Sequence, residues 1–239
     1  MPPYRDWTAQ QMPILRLDGC MLFRICRLFV GLVLYGAGCG VMVQAGIGVD
    51  PWTVFAQGLS VQTGIGIGWI TNIVGLLVLL LWIPLRQRPG FGTVANILLV
   101  GTSMQCTIEI VPSADGFLAG VAVFVGGMVL LALASGVYIG ARLGPGPRDG
   151  LMTGLHARFG WPIWACRFGV EAAVLLAGWL LGGTVGLGTV LFAAGIGPLV
   201  HLALSLLDPV GRTARTDNVA LREDADPLPV DTEGHQSVR

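Results

Sequence analysis

Between residues 28 and 207 the chain alternates long apolar runs with short stretches rich in Gly, Pro and Arg. A helix that crosses a bilayer needs about 20 mainly apolar residues. Six runs meet that length: Leu28–Ala45, Ile65–Leu85, Phe91–Val111, Phe117–Gly140, Trp161–Leu181 and Leu187–Leu207. Two of the connections, 46–64 and 142–160, are longer than the rest and built alike. In each, Gly and Pro end the preceding helix. Asp50-Pro51-Trp52 then suits the start of a new helix, with Asp50 as its cap and Pro51 in its first turn. In the second connection Asp149 is expected to cap a helix over 150–158, whose Leu151, Met152, Leu155 and Phe159 give it one apolar face. Each connection therefore predicts a helix of about two to three turns. That helix either lies flat at the interface or dips inward, in which case its amino end and Arg148 suit an anion.

The pattern occurs twice. Gly40-Val41, Ala45, Gly48, Pro51, Gly58-Leu59 and Gly64 return as Gly136-Val137, Ala141, Gly144, Pro147, Gly154-Leu155 and Gly160. Gly90-x-Gly92-Thr93-Val94 returns as Gly186-x-Gly188-Thr189-Val190, and Gly101 as Gly197, all at a constant offset of 96 positions. Matches held in register without a gap mark a duplicated module. Each copy, 28–112 and 117–207, holds three spans. An odd number forces the second copy to enter the membrane from the opposite side. The expected fold is all-α: six transmembrane helices as two inverted three-helix repeats, with a short interfacial or re-entrant helix in each half. Many secondary transporters are arranged in this way.

Charge orients this arrangement. Arg5, Arg16, Arg24 and Arg27 lie in the amino tail before the first span; Arg86 and Arg88 follow the second; Arg142, Arg148 and Arg158 follow the fourth; Arg212 and Arg215 follow the sixth. The other connections have no Arg, and the chain has no Lys. The positive-inside rule then predicts a multi-pass protein of the bacterial inner membrane with both termini cytoplasmic. Residues 1–27 are expected to form an uncleaved cytoplasmic tail, and 208–239 a disordered one. Composition agrees with a lipid environment: hydrophobic residues make up 54% and charged residues 12% of the chain, at a mean hydropathy of +0.73. A soluble domain carries about twice that charged fraction. A net charge of zero gives no long-range pull on nucleic acid. The five cysteines show no C-x-x-C spacing, so neither a metal site nor a cofactor is expected. The chain lacks HExxH, GxSxG and P-loop motifs, so an enzyme is not expected.

Ionisable residues inside spans are costly and mark candidate sites. Arg167 and Glu171 stand at i, i+4 on the fifth span, hence on one face. They form either a structural pair or a site with a titrating carboxylate. Gln105 and His201 hold equivalent repeat positions and are expected to face a shared interior, or to act as hydrogen-bonding struts. With Asp50, Trp52, Arg148 and Asp149 from the two connections, these are the candidate substrate-binding residues.

The run Gly144-Pro145-Gly146-Pro147-Arg148-Asp149-Gly150-Leu151-Met152, the Asp50-Pro51-Trp52 of the first half, the paired GxGT elements and Gly197-Pro198 resemble the bacterial YczE/YyaS/YitT family. The likeness covers about residues 28–207. In the first half the acid stands at Asp50 rather than just after the Trp, where this chain has Thr53. The resemblance implies a polytopic inner-membrane protein, some relatives of which are associated with polyketide antibiotic production. Two functions fit. One is a small permease or exporter carrying an anionic or polar solute through a midplane site. The other is a non-transporting scaffold or accessory factor that docks a cytoplasmic protein through 142–158 and the tail. The lipid bilayer is the partner common to both, and the sequence sets no oligomeric state.

Overall fold

The computed structural model describes residues 19–207 of the 239. The expected tail up to residue 18 and the expected disordered tail from residue 208 lie outside them. The described residues form eight α-helices and no strand. In chain order these are α1 (Gly19–Gln44), α2 (Pro51–Thr63), α3 (Ile67–Leu85), α4 (Phe91–Ile110), α5 (Phe117–Ile139), α6 (Pro147–Phe159), α7 (Ile163–Leu180) and α8 (Leu187–Leu207). Six of them, α1, α3, α4, α5, α7 and α8, are long and apolar enough to cross a membrane. The two remaining helices, α2 and α6, occupy the long connections.

Two boundaries differ from expectation. Helix α1 starts at Gly19, so 19–27 belong to the helix and not to a tail. Its arginines are held there. Arg24 Nε donates to the Ala141 carbonyl (2.9 Å), just past the end of α5, and Arg27 Nη2 donates to the Leu207 carbonyl (2.7 Å), the last of α8. Cations at helix carboxyl ends satisfy orphan carbonyls and match the dipole. Helix α6 starts at Pro147, not at Gly150, and its cap is Gly146. Proline's fixed φ suits the first helical position, so Asp149 falls inside the first turn and caps nothing. In α2 the expected cap forms: the Asp50 carboxylate accepts the Thr53 N–H at 3.3 Å.

Glycine sets how closely the long helices approach. Along α1, a Cβ on Gly36 would strike the Val100 carbonyl of α4, while one on Gly38 would lie 2.9 Å from the Gly127 carbonyl of α5. With no side chain on either face, α1 wedges between α4 and α5, where Met42, Met104, Phe124 and Leu131 form a buried core. Outward faces are apolar: Leu76, Leu77, Leu80 and Leu81 of α3 are all exposed. Such faces belong against lipid, which imposes no penalty on them.

Each connection docks on the opposite half. Gly188 N–H donates to the Ile47 carbonyl (2.8 Å), and the Thr189 hydroxyl donates to the Val49 carbonyl (2.8 Å). Displaced by 96 positions, Gly92 N–H donates to the Leu143 carbonyl (2.8 Å), and the Thr93 hydroxyl to the Pro145 carbonyl (2.7 Å). Thus the paired GxGT elements hold the two connections reciprocally. Likewise α2 packs on α7, and α6 packs on α3.

Candidate functional site

Reciprocal docking brings the amino ends of α2 and α6 to the middle of the bundle. There they face a cavity of about 210 Å³ lined by residues from all eight helices. The two halves supply its walls with different chemistry. At positions related by the repeat, Thr71 of α3 answers Arg167 of α7, and Gly75 answers Glu171. Asp50 answers Gly146, Trp52 answers Arg148, and Asn96 of α4 answers Phe192 of α8. At these positions one half supplies an uncharged group where the other supplies a charged one, or an apolar group where the other supplies a polar one.

Arg148 and Trp52, the equivalent pair, meet. The guanidinium carbon lies 4.9 Å from the indole ring centre, a cation–π contact. Arg148 Nη1 also stands 3.6 Å from Asp50 Oδ2. That distance is an ionic contact and too long for a hydrogen bond. Asp50 is only 3% exposed. Its other oxygen, Oδ1, is buried without a hydrogen-bond partner. On α7, Arg167 Nε donates to Glu171 Oε1 at 3.0 Å, so the expected i, i+4 pair forms. Its i, i+4 spacing keeps the pair on one face of α7, and both residues line the cavity.

Asp149 also borders the cavity. It presents accessible surface there, yet protein crowds it, and that burial raises its carboxyl above the ordinary carboxylate range. Arg167 and then Arg148 pull in the opposite direction.

Six of the sequence candidates therefore line one cavity: Asp50, Trp52, Arg148, Asp149, Arg167 and Glu171. The other two do not. Gln105 ties α4 to α3: its Oε1 accepts the Gly68 N–H (3.0 Å), and its Nε2 donates to Glu109 Oε1 (2.9 Å). His201 is exposed on α8, away from the cavity. The reason lies in packing that departs from the repeat. Helices α3 and α4 touch through Gly68 and Gly101, where a Cβ on either would overlap the other's carbonyl. At the equivalent places α7 has Trp164, with Phe168 in place of Asn72. Both of those side chains are exposed, α7 and α8 do not approach closely, and Gly197 has no neighbour within 4 Å of an added Cβ. The position equivalent to Gln105 is left without a helix to bond.

The sequence reading did not single out Tyr35, Ser135 and Tyr138 of the cavity wall. The two tyrosines meet edge to face at 5.8 Å. A signal was available: these are two of only three tyrosines in the chain, both inside apolar runs.

Comparison with known proteins agrees with this architecture. Residues 22–205 match the profile of a family of unknown function, DUF6198. The chain is 38% identical over 201 residues to an uncharacterized protein of Haemophilus influenzae, covering 84% of this chain and 87% of that one. It is 32% identical over 186 residues to the uncharacterized membrane protein YczE of Bacillus subtilis, covering 77% and 86%. It is 23% identical over 183 residues to YyaS of the same organism, covering 75% and 91%. No solved structure matches.

Proposed function

We propose that this chain, which belongs to the DUF6198 family and is a multi-pass membrane protein, works as a small permease or exporter that carries a solute through the central cavity by alternating access. One observation carries the reading. Five ionisable side chains, Asp50, Arg148, Asp149, Arg167 and Glu171, line a single cavity among six long apolar helices. Charge at membrane depth is expensive and persists where function needs it. A structural role would be met by one compact pair. Three further charges around an open volume suit a ligand.

The reciprocal docking supports the transport cycle. Each half grips the other's connection through the same hydrogen bonds, a pairing that an exchange between two arrangements could use. With the halves inverted in the bilayer and both termini cytoplasmic, as the arginine distribution suggests, exchanging them would move the cavity's opening from one side to the other. On this reading the protein moves a solute and transforms none.

The test is stabilisation of the purified chain by members of a metabolite library, followed by uptake of the stabilising compounds into proteoliposomes. Arg148→Ala and Glu171→Gln are expected to lower uptake at least about tenfold, the equivalent of about 1.4 kcal/mol, while eluting as folded protein. Folded variants with undiminished uptake would refute it.

A further inference from the structure

The cavity also carries information about the sign of its ligand, an assignment that rests on the permease reading. Both guanidiniums there are already partnered: Arg148 by the Trp52 face and Asp50 Oδ2, Arg167 by Glu171. The carboxylates are not used up. Asp50 Oδ1 is buried with no hydrogen-bond partner, in a residue 97% shielded (3% exposed) that borders the cavity. The Asp149 carboxylate forms no hydrogen bond and no ion pair within 4 Å among the described residues. With all of them ionised, three carboxylates (Asp50, Asp149, Glu171) outnumber two guanidiniums (Arg148, Arg167) by one. The unspent carboxylate oxygens are acceptors, whereas the guanidiniums, though they keep unbonded N–H groups, already have counter-charges beside them. An anion would find the amino end of α2 already occupied by that helix's own carboxylate cap, and that of α6, which no side chain caps, bordered by the Asp149 carboxylate in its first turn. Tyr35 and Tyr138 on the same wall are aromatic groups of a kind that suits a cation.

We propose that the cavity binds a small organic cation bearing a protonated amine, with Asp50 Oδ1 and Asp149 as its acceptors, and that Asp149 exchanges a proton for it. Where the pH lies below the raised value of its carboxyl, Asp149 holds a proton in the absence of ligand. The incoming ammonium displaces it, the proton leaves to water on the side where the cavity is open, and the ammonium takes its place beside the carboxylate. No bond other than O–H breaks. The groups that face Asp149 are Arg148 on its own helix, Arg167 and Glu171 on α7, Asp50 beside α2, Tyr138 on α5 and Tyr35 on α1; α3, α4 and α8 present no titratable group to the cavity. Burial raises the Asp149 carboxyl, so the neutral form persists to higher pH than for a free carboxyl. Cation binding therefore strengthens as pH rises through that raised value and is lost as pH falls below it.

The experiment is calorimetric titration of the full chain in detergent with 2-phenylethylammonium and, as a partner of opposite charge and similar shape, 3-phenylpropanoate, between about pH 5 and 8, where an aliphatic amine stays charged. The ammonium is expected to bind and the carboxylate not. Its Kd should rise by up to about tenfold per pH unit on the acid side. Asp149→Asn should weaken binding at least about tenfold at high pH and remove the pH dependence. Asp50→Asn, which keeps a helix-capping side chain, should weaken binding and leave the pH dependence in place. Preference for 3-phenylpropanoate, binding of neither compound, or an unchanged pH profile in folded Asp149→Asn would each overturn the proposal. Proteoliposomes separate it from the permease reading. Ammonium binding without exchange flux would sink transport and leave the cation site standing. Flux of other solutes without ammonium binding would do the reverse.

Discussion

Helix α7 reaches the cavity only because Gly178 lets it lie against α2, and replacing that glycine tests the whole placement of Arg167 and Glu171. A methyl group at Gly178 would sit 2.5 Å from both Phe55 N and Phe55 Cα and 2.6 Å from the Val54 carbonyl carbon. Carbon atoms rest at about 3.5–4.0 Å. The overlap is therefore about 1 Å, and it is with backbone, so no rotamer change can relieve it. The helices must separate, which strains the neighbouring bonds from Gln62 to the Leu181 carbonyl (3.0 Å) and from Thr184 N–H to Gln57 (3.1 Å). Overpacking of this kind costs about 1–3 kcal/mol, or roughly 3–9 °C in melting midpoint for a chain of this size. Gly169, on the same helix, has nothing within 4 Å of an added Cβ. Gly169→Ala should therefore be neutral, or stabilising by about 0.5–1 kcal/mol from the gain in helix propensity. The assay is the midpoint for loss of monodisperse protein on heating in detergent, measured for both variants side by side. A Gly178→Ala midpoint within about 1 °C of the parent, or equal losses in the two variants, would refute this account of how α7 is held.

Gly150→Ala is expected to destabilise α6, because its methyl would overlap the buried indole of Trp82, and the double variant with Trp82→Leu should recover part of the loss in the same heating assay. Thr189→Val leaves the Val49 carbonyl and Gly186 N–H without the hydroxyl they share, which should cost about 1–3 kcal/mol; Thr93→Val, which strips the Pro145 carbonyl and Gly90 N–H, should cost a similar amount. Single cysteines at Gln62 and Arg158, exposed positions equivalent in the repeat, should react with an impermeant maleimide from opposite sides of intact cells once the native cysteines are removed. Labelling of both from one side would end the inverted arrangement.

The chain's one-dimensional pattern determined which segments become helices. Run length and polarity are local properties, and a backbone in lipid must satisfy its own hydrogen bonds, so each apolar run had one available structure. The break at Asp50-Pro51 was equally local, because a capping carboxylate followed by proline acts within one turn. The paired connections and the pair Arg167 and Glu171 were also legible, from the repeat and from helical spacing. What the linear pattern did not decide was which equivalent positions keep equivalent surroundings. Gln105 and His201 match in register, yet only Gln105 meets a neighbouring helix, because α4 lies against α3 at Gly68 while α8 has no such close contact around Gly197. Asp149 looked like a cap until Pro147 claimed the start of α6. Nor could spacing place Arg148 on Trp52 or bring Tyr35 to Tyr138. Those meetings depend on how closely bare glycine faces let helices approach, a property of two surfaces together that neither segment holds alone.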